Sequence, residues 1–396
     1  MTDSLFWNRF KRNKISVVGA VIIALLFLVA ALGYLLAPDA TPFANNQMLS
    51  VAAKPPMFKV KVALIRKHQT IEHSGLLNRM LFGQESAYTS IPIDTFWFEG
   101  DNLMLKEYSS GVGDEPFVSS FRLVDAVYPV NTATPVVKNA DGSFSFTDTE
   151  GRNHTIPAFD IKKTITEKQI VEKKFLLGTD RFGRDMLSRL VIGTRVSFSV
   201  GFISVIISLL IGISLGMSAG YFRGTTDAVI SWLINVVWSV PTLLMVLSIT
   251  LVLGKGFWQV FVAVGLTMWV EVARVVRGQV LGIREKEYVE AAHALGYSNF
   301  RIIFRHILPN TVGPIVIISA ANFASAILME AGLSFLGIGV QPPVPTWGNI
   351  IKDHYGYIIL DQAYLAVLPG LAIMLLVLSF NFLGNGLRDA FDTKVE

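Results

Sequence analysis

Cysteine is absent from this chain of 396 residues. That excludes disulfides, thiolate metal sites and cysteine nucleophiles, although it assigns no compartment. Charge is scarce as well: Asp, Glu, Lys and Arg make up 16% of the residues, where a soluble domain carries about 25%. The sequence holds no GxxxxGK[ST] loop to cradle nucleotide phosphates, no HExxH helix and no GxSxG elbow. His68 and His73 lack a Cys or carboxylate partner, so they read as surface residues rather than a metal site. An enzyme reading has nothing to stand on, and neither metal nor cofactor is expected on the chain itself.

What is abundant is apolar sequence: 52% of the residues are hydrophobic and the mean hydropathy is +0.50. This implies an all-α polytopic membrane protein. Ile15 to Leu36 is long enough, at ~1.5 Å per residue, to cross a ~30 Å hydrocarbon core. Arg9, Lys11, Arg12 and Lys14 precede it and Pro38 ends it. A cleaved signal peptide would have a shorter apolar core and a small-residue exit, so residues 15–37 read as a retained first span, with residues 1–14 in the cytoplasm. Further spans are expected near 196–220, 228–253, 257–276, 311–336 and 363–383, about six in all. With an even number, the N-terminus, the Arg223 loop, the loop from Arg274 to Arg305 and the Arg388 tail share one face. They hold most of the basic residues outside the insertion, whereas the opposite face keeps scattered ones such as Arg181, Arg184, Lys255 and Lys352. Both termini are therefore expected in the cytoplasm. The pI near 9.1 reflects this bias rather than a nucleic-acid surface, since the basic residues flank apolar spans.

Residues 38–177 differ in composition, with charges of both signs, short apolar runs and recurrent Pro and Gly. They are expected to form a β-rich extracytoplasmic domain inserted between the first two spans, ahead of a permeation core in residues 178–396. Asp141-Gly142, the alternating Ser143 to Thr147, Glu150-Gly151 and the stretch to Ile156 predict a hairpin or meander. Ile91 to Phe98 and Phe117 to Val130 predict strands, and Gly75 to Phe82 a short helix.

Two patterns lie on the spans. Ser204, Ser208, Gly212, Gly216 and Gly220 recur every fourth residue, which puts small side chains along one helix face for close packing against a neighbouring helix of the same chain, or else a subunit contact. Ser319, Asn322 and Ser325 dot the fifth span and either line a translocation path or bond between helices. Glu271 and Glu330 need partners or water, and Arg274, one turn beyond Glu271, is its obvious partner.

Between the fourth and fifth spans lies a charged interruption, residues 285–310, carrying Glu290, His293, Arg301, Arg305 and His306. It cannot be lipid-exposed at membrane depth. Tyr288 to Leu295 is rich in helix formers, Gly296 is a good helix stop, and Ser298 is a plausible N-cap for a second helix running to Leu308. Two short helices joined by a tight turn are expected.

Here the residues carry a resemblance. Glu290-Ala291-Ala292, then Gly296, then Ile307-Leu308-Pro309 resembles the EAA loop of the membrane subunits of bacterial ATP-binding-cassette (ABC) importers. Gly178-Thr179-Asp180-Arg181-Phe182-Gly183-Arg184-Asp185, Leu333-Ser334-Phe335-Leu336-Gly337 with Gln341-Pro342-Pro343, and Arg388-Asp389-Ala390 narrow it to the C-type permease of dipeptide and oligopeptide importers. The match covers residues 1–37 and 175–396. It departs at His306, where the broader pattern has Ile, and in the insertion, which exceeds the outer loop of most such permeases. The resemblance implies a bacterial inner-membrane subunit that transports peptides, or nickel chelates and other small solutes. Its implied partners are a homologous B-type permease, two ATPases that bind ATP and Mg, and an extracytoplasmic binding protein. Glu290, Ala291, Ala292, Gly296, Arg301 and Pro309 would couple it to the ATPase, Ala291 and Ala292 by close packing and Gly296 through the turn. A rival is a mechanotransmission subunit, which moves an outer domain without carrying substrate but typically has four spans. An ATP-independent channel or carrier is a third possibility.

Overall fold

The computed structural model describes residues 3–71, 75–109, 117–254 and 256–391. His73 and Lys255 lie outside them. In chain order the elements begin with α1 (Asp3–Arg12) and α2 (Lys14–Leu36), followed by β1 (Phe58–Arg66), α3 (Leu76–Phe82), β2 (Tyr88–Glu99), β3 (Asn102–Glu107) and β4 (Val118–Arg122). Then come α4 (Leu123–Val127), β5 (Val137–Lys138), β6 (Ser143–Thr147), β7 (Asn153–Pro157), α5 (Ala158–Thr164) and β8 (Ile170–Phe175). The remainder is helical: α6 (Met186–Phe222), α7 (Gly224–Trp238), α8 (Thr242–Leu253), α9 (Phe257–Arg284), α10 (Glu287–Ala294), α11 (Asn299–Ile302), α12 (Leu308–Phe335), α13 (Trp347–His354) and α14 (Tyr364–Phe391).

The chain divides into two compact units, one of Met1–Ala30, Gly193–Tyr355 and Ala366–Glu396 and the other of Ala31–Ile192 with Gly356–Leu365. In the second unit, β4-β3-β2-β1-β8 form a five-stranded antiparallel sheet and β5-β6-β7 a three-stranded one. Strand β1 shows why. Alternate side chains leave a pleated strand on opposite faces. Val60 and Val62 therefore join one core cluster with Met48, Val51 and Phe175, while Ala63 and Ile65 join another with Ile93, Leu103, Leu105 and Ile161. The hairpin expected at 141–156 is present, with Phe144 opposite Ile156 and Phe146 opposite His154. The strand expected from Phe117 to Val130 is not continuous: it stops at Arg122 and gives way to α4, whose Leu123, Val124 and Ala126 are fully buried. Burial of a one-sided apolar turn outweighs the strand propensity of this stretch.

Five helices among the described residues are long and apolar enough to cross a membrane: α2, α6, α9, the α11–α12 stretch Asn299–Phe335, and α14. The pair α7 and α8 makes a sixth candidate, bent by 90° between Trp238 and Thr242. The single span expected at 228–253 is thus broken. Pro241 explains the break, because it cannot donate to the helix ladder and drives the residue before it away from helical geometry.

The helical unit is knit by close backbone approaches. On α6, a Cβ at Gly212 would stand 2.5 Å from Val272 Cβ, at Gly216 2.6 Å from Ala273 O, and at Gly220 2.7 Å from Val280 Cβ. The seam continues through Ser204, which donates to Phe261 O at 3.0 Å, and Gly265, where a Cβ would come within 3.0 Å of Ser204 O. The residues spaced by four on α6 therefore lie directly against α9. At the chain ends, a Cβ at Gly19 on α2 would meet Ser379 O of α14 at 2.8 Å, and Asn13 donates to Asp389 at 2.9 Å.

Candidate functional site

The interruption at 285–310 folds as a helical hairpin. Helix α9 runs on to Arg284, so the charged segment begins only as that helix ends. Helix α10 closes with Leu295 N bonding to Ala291 O at 3.0 Å, Gly296 N to His293 O at 2.9 Å and Tyr297 N to Ala292 O at 3.1 Å. Gly296 takes φ +74°, a left-handed conformation that costs a residue with a side chain roughly 1–2 kcal/mol. A Cβ there would meet nothing within 4 Å, so the turn needs glycine for its backbone and not for space. Ser298 caps the next helix by accepting from Arg301 N at 3.4 Å.

The second arm differs from the short helix expected to end at Leu308. Helix α11 passes through a π-helical turn, Ile303–Ile307, into α12. The arm and the span thus make one stretch of 37 residues, Asn299–Phe335. Pro309 sits at the start of α12, where its missing N–H costs little.

The inner face of the hairpin is apolar. Val289, Ala292, Ile302 and Ile307 are buried with Met217, Tyr221, Val272, Val276 and Val280 of α6 and α9. Tyr221 provides the polar anchor: its hydroxyl donates to Asn299 Oδ1 at 2.8 Å, lies 3.2 Å from His293 Nε2, and its ring stacks on His293 at 5.9 Å. An ion pair between Arg223 and Glu285 ties the end of α6 to the start of the hairpin. The outer face is open: Glu290, Ala291, Gly296, Arg301 and Pro309 are all exposed. Beside them stand Leu295, 72% exposed, and Phe300, 70% exposed. Arg301 lies over the Tyr297 ring at 4.2 Å. Of the six residues expected in coupling, five face outward and Ala292 faces inward. Tyr221, Asn299, Leu295 and Phe300 were not foreseen. For Phe300 a signal existed, since Phe300 and Phe304 are spaced to share one helix face and their rings lie 4.3 Å apart.

The polar residues of the fifth span separate in three dimensions. Ser319 bonds to Ile315 O of its own helix at 2.6 Å. Asn322 is fully buried and neither of its amide atoms has a partner among the described residues. Ser325 lines a cavity of about 60 Å³ with Thr267, Glu271, Trp238 and Met329. Glu271 does not pair with Arg274, as the sequence spacing suggested; Arg274 instead lies over the Trp238 ring, just before the bend between α7 and α8. The planar guanidinium finds an aromatic face there. Glu330 is buried, accepts from Ser334 at 2.6 Å, and keeps Oε2 without a partner among the described residues.

In the GTDRFGRD segment Asp180 accepts from Phe182 N at 2.8 Å and Arg184 N at 2.9 Å, and from Arg184 Nε at 2.6 Å. Gly183, at φ +71°, lies so close to Met48 that no side chain fits. This motif therefore locks a loop onto its own unit.

Apolar spans interrupted by a surface-exposed helical hairpin that turns at Gly296 define a polytopic membrane protein. Residues 212–396 match the model for binding-protein-dependent transport system inner membrane components, and residues 4–56 match that for the N-terminal transmembrane domain of oligopeptide transport permease C. A dipeptide transport system permease protein DppC from Alkalihalophilus pseudofirmus is 41% identical over 219 residues, covering 55% of this chain and 72% of that protein. A glutathione transport system permease protein GsiD from Pectobacterium atrosepticum is 40% identical over 220 residues, covering 56% and 73%. An inward-facing structure of the MetNI methionine ABC transporter aligns with a TM-score of 0.45 and 20% identity, over 52% of this chain and 98% of that one. The chain belongs to the family of binding-protein-dependent transport permeases, the membrane components of ABC importers.

Proposed function

We propose that this chain is the C-type permease of an ATP-driven importer for di- or oligopeptides or related small solutes. It forms half of the translocation path beside a homologous B-type permease, takes cargo from a binding protein, and is driven by two ATPases that bind ATP and Mg. Its termini and the hairpin face the cytoplasm, and the β-rich insertion lies on the opposite, extracytoplasmic side. The observation that carries this reading is the two-faced hairpin. Its inner face is packed on α6 and α9, while its outer face offers Leu295 and Phe300 as apolar anchors beside the charges of Glu290 and Arg301. An apolar centre with a charged margin is how a docking surface is built. Because the second arm continues into α12, movement of the tip is passed to a span, as in a shear or hinge transition. The path runs past Ser325 and Glu271, since a carboxylate on a spanning helix needs water or a partner, and past the buried Asn322.

The test is Gly296→Trp. A Cβ at Gly296 meets nothing within 4 Å, so the variant is expected to insert in the membrane normally, while the strained turn misplaces the outer face and abolishes transport. Full peptide uptake by this variant in proteoliposomes containing the complete complex would sink the coupling role. Identifying the ligand on the co-purified binding protein fixes the cargo.

A further inference from the structure

Helix α3 turns an unusually apolar surface outward. Its sequence is LLNRMLF, with Arg79 as its one charged residue. Leu76 is 72% exposed, Leu77 69% and Phe82 66%. No residue of α3 belongs to the described core clusters of its unit. An apolar patch of this kind on a soluble surface marks an interaction site, and its position in the unit identifies what it meets.

The C-terminal end of α3 is fastened to the exit of α2, the first spanning helix. Gly83 turns the chain with φ +80° and approaches so closely that a Cβ would lie 2.8 Å from Ala40 O and 3.0 Å from the Tyr34 ring. Gln84 N then bonds to Ala40 O at 2.9 Å. Tyr34 lies in the last turn of α2 and its hydroxyl accepts from Phe43 N at 3.1 Å, the half-apolar, half-polar setting in which tyrosines mark a membrane boundary. On that same turn Leu32, Leu35 and Leu36 are 37%, 41% and 53% exposed, so the lipid-facing surface of α2 continues to its end. A helix of seven residues is only about 10 Å long, and the headgroup region is roughly 5–8 Å deep on each side of the bilayer. Tied at Tyr34 and Ala40, the C-terminal end of α3 is held beside that zone, within one short helix length of Leu76 and Leu77.

We infer that α3 is an interfacial membrane anchor, which inserts Leu76, Leu77 and Phe82 into the headgroup and upper acyl region of the leaflet where α2 emerges, with Arg79 among the lipid phosphates. The occupant of this apolar surface is the bilayer itself, continuous with the lipid already covering α2. The anchor fixes the β-rich insertion against the membrane at a second point besides α2. Seven residues are far too few to cross a bilayer, which takes about 20, so the apolar face of α3 can be buried only at the surface of the leaflet.

The absence of cysteine makes the test direct. Single-cysteine variants Leu77→Cys, Leu25→Cys on α2 and Ala133→Cys on an exposed loop are labelled with an environment-sensitive fluorophore and reconstituted as the full chain in phosphatidylcholine liposomes. The label at Leu77 is expected to be quenched by lipids carrying a shallow nitroxide several-fold more than the label at Ala133, and to be protected from aqueous iodide. Iodide quenching at Leu77 equal to that at Ala133 would overturn the inference, as would protection from both quenchers, which means a protein surface covers the helix. Leu25 reports separately on α2 as a span, through quenching by a deep nitroxide. In the Leu76→Asp, Phe82→Asp background the shallow quenching at Leu77 should fall several-fold while hydrogen-exchange protection of β1 stays unchanged. Undiminished quenching in that background also counts against the anchor.

Discussion

Inside each unit of this protein a different kind of contact stands out. In the helical unit, missing side chains at Gly212, Gly216 and Gly220 let α6 and α9 touch along their backbones. In the β-rich unit the loops are held by buried aspartates that collect N–H groups. Asp180 gathers Phe182, Arg184 and the Arg184 guanidinium, and Asp148 gathers Glu150 N, Arg152 N, the Arg152 guanidinium and His154. The difference follows from solvent. In lipid, association rests on close van der Waals packing, and a charge is expensive. In a small sheet domain, irregular loops leave N–H groups that a carboxylate satisfies at once.

The comparison can be broken at four points, in descending order of effect. Asp180→Ala leaves Arg184 buried without its main partner, so it should destabilise the β-rich unit by about 3–5 kcal/mol. Chemical denaturation of the detergent-solubilised chain reads this as an early transition confined to that unit. Gly216→Leu forces a side chain against Ala273 O and Val276, and overpacking of this kind costs about 1–3 kcal/mol. The expected result is a lower melting temperature with the β-rich unit unaltered, the reverse of the first variant. Tyr221→Phe keeps the ring on His293 but removes the hydroxyl's hydrogen bond to Asn299 and its contact with His293 Nε2, worth about 1 kcal/mol. It should leave the fold intact and lower transport several-fold per ATP hydrolysed, measured in the assembled complex.

The smallest effect is a pH dependence. Hydrogen bonding to His154, with help from the backbone of Arg152 and Glu150 and from the Arg152 guanidinium, holds the Asp148 carboxyl well below the ordinary value of 3.8. A depressed carboxylate contributes stability that is complete above its unfolded pKa and is lost as pH falls through the folded one. Hydrogen-exchange protection of the β6–β7 hairpin should therefore be flat at neutral pH and decline only in strong acid. Asp148→Asn should remove that acid limb. A protection profile unchanged by this substitution would separate Asp148 from the hairpin's stability.

Much of the site was legible because its signals are local. Gly296 and Ser298 announce a turn and a cap through their own backbone and side-chain chemistry, and the structure uses both in that way. The hairpin at 141–156 was legible for the same reason. What escaped depends on distant groups. Nothing near Tyr221 in the chain shows that Asn299 and His293 will meet it. The pairing of Arg274 with Glu271 was a reasonable inference from spacing along one helix, but the neighbouring Trp238 claimed the guanidinium. Hydropathy read 228–253 as one apolar run and outweighed the single Pro241 that breaks it. In the stretch after Phe117 the strand signal was correct up to Arg122, beyond which burial of Leu123 and Val124 imposed a helix.

Under the proposed coupling role, the helical stretch Asn299–Phe335 sets a gearing ratio. At ~1.5 Å per residue it measures about 55 Å, so a tilt of about 5° pivoting at the hairpin sweeps the far end through about 5 Å. That is the width of a small side chain, at the end of α12 that carries Glu330. The π-helical turn at Ile303–Ile307 and Pro314 are the two places where this shaft can flex and lose stroke.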